Sequence, residues 1–153
     1  MWFSRKQAVK VPPKDDAGGA AALPKQVTTK SRGDAAESAA RAYLAAAGLR
    51  WIESNYRTPG RGGGEIDLVM RAPDGTLVFV EVRQRSSASH GGAGASISAV
   101  KQQRIVFAAR HYLMRFASLP PCRFDVVLVN GALSDPEKRM PKIEWLPAAF
   151  DAS

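Results

Sequence analysis

Two β-prone runs, Glu65 to Arg71 and Thr76 to Arg85, are separated only by Ala72-Pro73-Asp74-Gly75, and this pairing constrains the fold more than any other feature. The linking residues suit a three-residue hairpin, a type I turn followed by Gly75 in the left-handed conformation. Ala72 then faces Thr76. One face of the hairpin pairs Ile66 with Val82, Leu68 with Val80 and Met70 with Val78. All six are apolar, and a one-residue slip would turn them to the other face, so this register supplies a core layer. The opposite face pairs Glu65 with Arg83, Asp67 with Glu81 and Val69 with Phe79.

The Asp67–Glu81 pair is out of place in a sheet. Directly opposed like charges destabilise it, on the order of several tenths of a kcal/mol, and the apolar Phe79 nearby strengthens the repulsion. Relief can come from protonation of one carboxyl, from an arginine bridge or from a divalent cation. Cross-strand Cβ atoms ~4.5–5.5 Å apart put both carboxylates within reach of one hard cation. Mg²⁺ characteristically takes one or two carboxylates, several waters and substrate phosphate oxygens. Arg83 and Arg85, on the same face, offer a purely structural neutralisation instead.

Around the hairpin the periodicity is regular. Ser31-x-x-Asp34 has the form of a capping box, and Ala36, Ala40, Tyr43, Leu44 and Ala47 recur at helical spacing before Gly48. Leu49 to Tyr56 suits a strand, followed by a basic glycine-rich loop from Arg57 to Gly64. A second glycine-rich stretch, His90 to Gly94, leads into a helix from Ser98 to Ala117 with Ile105, Ala108, Ala109, Tyr112 and Phe116 on its apolar face. Arg123 to Val129 and, more weakly, Ile143 to Leu146 complete the strands. The order α-β-β-β-α-β-β predicts an α/β fold in which one mixed β-sheet is flanked by helices.

Residues 1–28 combine prolines and paired glycines with few large apolar residues, a composition expected to be disordered. The domain is expected over 29–150, with a short C-terminal tail at 151–153. The chain's net charge of +8 favours a polyanionic partner. Residues 1–33 carry seven Lys/Arg against two Asp, whereas the remaining 120 carry fifteen against twelve. Much of the basicity therefore lies in the tail, which suits either solvation or a nonspecific phosphate tether. No apolar run approaches the ~20 residues of a membrane helix, and the N-terminus lacks the apolar segment of a secretory signal. A cytoplasmic location without membrane attachment is the expectation. The single cysteine, Cys122, excludes an internal disulfide and is expected as a small buried hydrophobe. His90 and His111 stand apart from other ligand types and receive no role.

Glu37 falls at the edge of the first helix's apolar stripe, where it points partly toward the sheet; pairing with Arg41 in the next turn serves it equally well. Arg57 and Arg61 flank the glycine-rich loop, whose backbone can approach a nucleic-acid strand closely. Lys101 and Arg104 occupy the opening turns of the second helix, whose N-terminus favours phosphate. Solvated surface charge accounts for each of the four as well as phosphate contact does.

Gly64-Glu65-Ile66-Asp67-Leu68-Val69, followed by Val78-Phe79-Val80-Glu81-Val82-Arg83-Gln84-Arg85, resembles the YraN-like family of small bacterial proteins. That family is similar to the Holliday-junction resolvases and the wider PD-(D/E)XK nuclease superfamily. Gly33-x-x-x-Glu37, Ser98-x-x-Lys101 and Arg123-Phe124-Asp125-Val126-Val127 add weaker matches, so the resemblance spans roughly residues 30–150. It implies a restriction-endonuclease-like three-layer core and a divalent-metal-dependent endonuclease acting on DNA, branched forms included. Asp67 and Glu81 then correspond to the acids that hold Mg²⁺ or Mn²⁺, with Glu37 as the third, helix-borne acid of the metal site, which helps orient a metal-bound water. Position 83 corresponds to the lysine of the Glu-x-Lys signature. Here it is Arg83, which retains charge and can clamp phosphate but cannot act as a base. Arg83, Arg85, Arg57, Arg61, Lys101 and Arg104 are the expected nucleic-acid contacts, with DNA favoured over RNA. The resemblance also implies a homodimer. A non-catalytic module that keeps the nuclease-like surface for nucleic-acid binding or assembly is the alternative, and Arg83 favours it.

Overall fold

The computed structural model describes residues 29–85, 97–130 and 142–152. The expected tail at 1–28 and the second glycine-rich stretch with His90 lie outside the described residues.

Helix α1 (Thr29–Ala46) begins before Ser31, so Ser31 lies within it rather than at its cap. It ends in a Schellman turn. Gly48 adopts φ +105°, Leu49 N–H returns to Leu44 O at 3.0 Å and Gly48 N–H to Ala45 O at 3.0 Å. Five strands follow in one sheet: β1 (Arg50–Arg57), β2 (Glu65–Arg71), β3 (Leu77–Arg85), β4 (Cys122–Asn130) and β5 (Lys142–Phe150). Their spatial order equals their chain order. Every pairing is antiparallel except β3 with β4, which is parallel and is bridged by helix α2 (Ala99–Leu113). The mixed sheet and the element order agree with the sequence pattern.

The strands' two-residue alternation builds two cores. On one side Leu68, Met70, Val78, Val80, Val127 and Val129 meet the small face of α1, made of Ala36, Ala40 and Leu44. On the other, Val69, Leu77, Phe79 and Phe124 meet Ile105, Ala108, Ala109 and Tyr112 of α2. The result is a helix–sheet–helix sandwich. Burying each large side chain contributes about 1.5–3 kcal/mol, so the sheet is held from both faces.

Two ends differ from expectation. Cys122 is exposed at the head of β4, not buried. Strand β5 is longer than its apolar run because the buried Asp125 carboxylate anchors it. That group accepts Trp145 Nε1–H at 2.9 Å and Ala148 N–H at 2.9 Å, and pairs with Arg123 Nε at 3.0 Å. Ala148 takes φ +50° there, so the carboxylate stabilises an irregular backbone past Pro147. Among the described residues, no helix is long and apolar enough to cross a membrane.

Candidate metal centre

The hairpin turn forms as its residues dictate. Gly75 N–H donates to Ala72 O at 2.9 Å, Ala72 N–H to Thr76 O at 2.9 Å, and Gly75 sits at φ +92°. From it the ladder runs Arg71↔Leu77, Met70↔Val78, Val69↔Phe79 and Leu68↔Val80, the expected register. There it stops. The expected pairings of Asp67 with Glu81, Ile66 with Val82 and Glu65 with Arg83 are not ladder pairs. Strand β2 stays with β1 as far as Arg57↔Glu65, while β3 continues beside β4 to Arg85↔Asn130. The two strands part where the acids begin.

Three local causes accompany the split. Gly64 rests directly on α2: a Cβ there would come 1.9 Å from Arg104 O, so only glycine lets β2 enter against the helix. In β1, Asn55 turns left-handed at φ +55°. Its neighbour Tyr56 and the facing Ile66 join the α2-side core, so Ile66 does not share the Leu68 face as the alternation predicted. Finally, the Asp67 side chain substitutes for a backbone acceptor, its Oδ2 taking the Val82 N–H at 2.8 Å.

Asp67 and Glu81 nevertheless meet. Their carboxyl groups come within hydrogen-bonding reach of each other, an interaction that raises Glu81 and lowers Asp67. Glu81 is 7% exposed. Burial, followed by the Asp67 charge, pushes its carboxyl up to about 8. Burial also holds Asp67 above the usual range, against the pull of the Val82 N–H. Lys101, from the first turn of α2, places Nζ 3.6 Å from Glu81 Oε2. Its charge pulls Glu81 down, but burial and the second carboxylate outweigh it. Glu37 on α1 is raised by burial and then by the Asp67 charge, while a hydrogen bond to the Asn55 side chain opposes the rise. Among the described residues, no three His, Cys, Asp or Glu side chains converge to hold an ion together. Asp67 and Glu81 are the two acids that meet, and Glu37 lies near enough to Asp67 to feel its charge.

The basic residues divide into two groups. The loop from Thr58 to Gly64 is pinned at its base, where Thr58 Oγ1 accepts Gly64 N–H at 2.8 Å and Thr58 N–H donates to Gly64 O at 3.1 Å. It carries the exposed Arg61, and Arg57 at its edge lies 3.4 Å from Glu65. Through Gly64 the loop abuts the backbone of α2 at Arg104, three residues along the helix from Lys101. Arg83 lies two residues beyond Glu81, opposite Leu128. Arg85 points to the other edge, with Nε 2.8 Å from Asn130 Oδ1 and Nη2 3.9 Å from Glu144. Asn55 and Thr58 carried no signal in the sequence. His111, given no role, hydrogen-bonds Tyr56 OH through Nδ1.

Comparison with known proteins identifies the lineage. The profile of "Uncharacterised protein family UPF0102" matches residues 36–129. The chain belongs to this family. A UPF0102 protein of Polaromonas naphthalenivorans is 89% identical over all 153 residues of both chains. One from Polaromonas sp. strain JS666 is 75% identical over the same full length. A relative in Methylibium petroleiphilum is 62% identical over 130 residues, which cover 83% of this chain and 99% of its own. The matched span runs from α1 through β4 and contains the carboxyl pair, Glu37, Lys101 and the pinned loop.

Proposed function

We propose that this protein is a divalent-metal-dependent phosphodiesterase acting on nucleic acid, with DNA, branched forms included, as the favoured substrate. The observation that carries this is the buried Asp67–Glu81 pair, brought together at the mouth of two parting strands beside a basic loop. A buried carboxyl pair needs a proton or a cation, and a donor set of carboxylate oxygens fits Mg²⁺ or Mn²⁺. Two protein carboxylates are the usual complement for Mg²⁺, which leaves its other positions to water and phosphate oxygens. Bound there, the ion supplies a lowered water pKa and neutralises charge on the scissile phosphate.

Asp67 and Glu81 hold the ion, and the Val82 N–H fixes the Asp67 carboxylate in place. Glu37, as the third acid of the site, orients a water. Arg57, Arg61, Lys101 and Arg104 hold backbone phosphates, while Arg83 adds positive charge to the site. Arg83 in place of the signature lysine also supports a second reading, a nucleic-acid-binding module without catalysis. Single-turnover assays on branched, flapped and linear DNA with Mg²⁺ or Mn²⁺ separate the two. The enzyme cleaves, and the Asp67→Asn/Glu81→Gln double variant does not. Salt-dependent binding without cleavage by wild type supports the module, and cleavage undiminished in the double variant refutes the site.

A further inference from the structure

We infer that Lys101 is the resident counter-ion of the carboxyl pair, and that a divalent cation taking Glu81 releases its ammonium toward the incoming phosphate. This rests on the metal-site proposal above and adds a coupling between metal and nucleic acid.

The geometry sets up a competition. Lys101 Nζ lies 3.6 Å from Glu81 Oε2, with the lysine side chain 47% exposed and the glutamate side chain 8% exposed. The ammonium thus enters from the solvent side onto an otherwise enclosed acid. A divalent ion held by the same carboxylate would face this charge at close range. Two cations at one carboxylate repel, so one yields.

Lys101 is built to yield without moving the helix. Its backbone is fixed, because Ser98 caps α2 and accepts Lys101 N–H at 3.1 Å through its Oγ. The side chain is a compact charge on a flexible four-carbon stem. Its head can swing while the helix stays. The direction open to it is the solvent side, since its side chain is 47% exposed while that of Glu81 is enclosed. The other cations suit this role less well. Arg85 is engaged by Asn130 and Glu144 at the far edge. Arg83 acts on Glu81 more weakly than Lys101 does.

Because binding free energies are linked reciprocally, a metal that frees Lys101 strengthens phosphate binding, and phosphate held by Lys101 strengthens metal binding. Lys101→Met keeps much of the stem and removes the charge. Calorimetric titration of Mn²⁺ into the full chain is the first arm. Lys101→Met is expected to bind Mn²⁺ about fivefold more tightly than wild type, and Arg83→Met to change by less. The second arm measures binding of a labelled branched DNA with and without Ca²⁺, another oxygen-seeking cation. Wild type is expected to gain about fivefold or more in DNA affinity from the ion, and Lys101→Met to lose most of that gain. Circular dichroism confirms that the variants fold, and Lys101→Arg, which retains charge, keeps part of the coupling.

Unchanged or weaker Mn²⁺ binding in Lys101→Met overturns the inference and leaves the metal site standing. So does a larger effect from Arg83→Met. Absence of Mn²⁺ binding to wild type overturns both.

Discussion

Replacing Glu81 by glutamine separates the effect of the proton from that of the charge. Glu81 moves from an ordinary value of 4.5 to about 8 on folding, with burial as the first cause. Between those values the folded chain holds a proton that the unfolded chain has lost. The stability this proton contributes is fully present below about pH 4.5 and is lost as pH rises toward 8. One proton changes stability by at most about 1.4 kcal/mol per pH unit. From pH 5.5 to 7.5 the wild type should therefore lose at most about 3 kcal/mol relative to Glu81→Gln. The glutamine stays neutral and can still donate to Asp67. For a domain of this size about 3 kcal/mol corresponds to roughly 8–15 °C in Tm, an upper limit because water reaches an ionised carboxyl. Thermal melts of both proteins across that range, in chelator, make the measurement. The gap should widen with pH, and Mg²⁺ should narrow it by stabilising wild type alone. Parallel pH dependences would refute the raised Glu81 carboxyl.

Two further substitutions test the scaffold. Gly64→Ala drives a Cβ to 1.9 Å from Arg104 O and should cost about 1–3 kcal/mol in urea unfolding, whereas Gly33→Ala, in open helical space, should stabilise by about 0.5–1 kcal/mol. Asp125→Ala strands Trp145 Nε1–H, Ala148 N–H and Arg123, and should cost about 3–5 kcal/mol by the same assay; a loss below about 1 kcal/mol would show that β5 is not held by this carboxylate.

The hairpin was legible because turn chemistry and alternation agree: Pro73-Asp74-Gly75 sets the turn, and Leu68, Met70, Val78 and Val80 share a face. Both signals are local, and both fail where β2 and β3 part. That split depends on β3 being committed to β4 and on Gly64 resting on α2, which are tertiary contacts. The carboxyl pair was visible as opposed like charges, but its means of relief was not. The sequence pattern offered Arg83 and Arg85; in the folded chain Lys101 reaches Glu81 and acts on it more strongly than Arg83, while Arg85 is engaged with β4 and β5. Residue spacing along α2 places Lys101 in its first turn without revealing which strand lies beneath. Asn55 escaped notice because nothing in its neighbours announces a left-handed residue inside a strand. Cys122 was misplaced because a preference for burial says little about the first residue of a strand.

If Asp67 and Glu81 exchange a proton for a divalent cation, as proposed, metal binding must release that proton. Calorimetric titration of Mn²⁺ at pH 7, repeated in two buffers of different ionisation enthalpy, counts the protons displaced. With its carboxyl pushed up to about 8, Glu81 is expected to be mostly protonated at that pH, so the expected result is close to one proton released per ion bound. The Asp67→Asn/Glu81→Gln variant should bind no ion at the same concentrations. Binding that releases no proton, or survives the double substitution unchanged, would contradict the exchange.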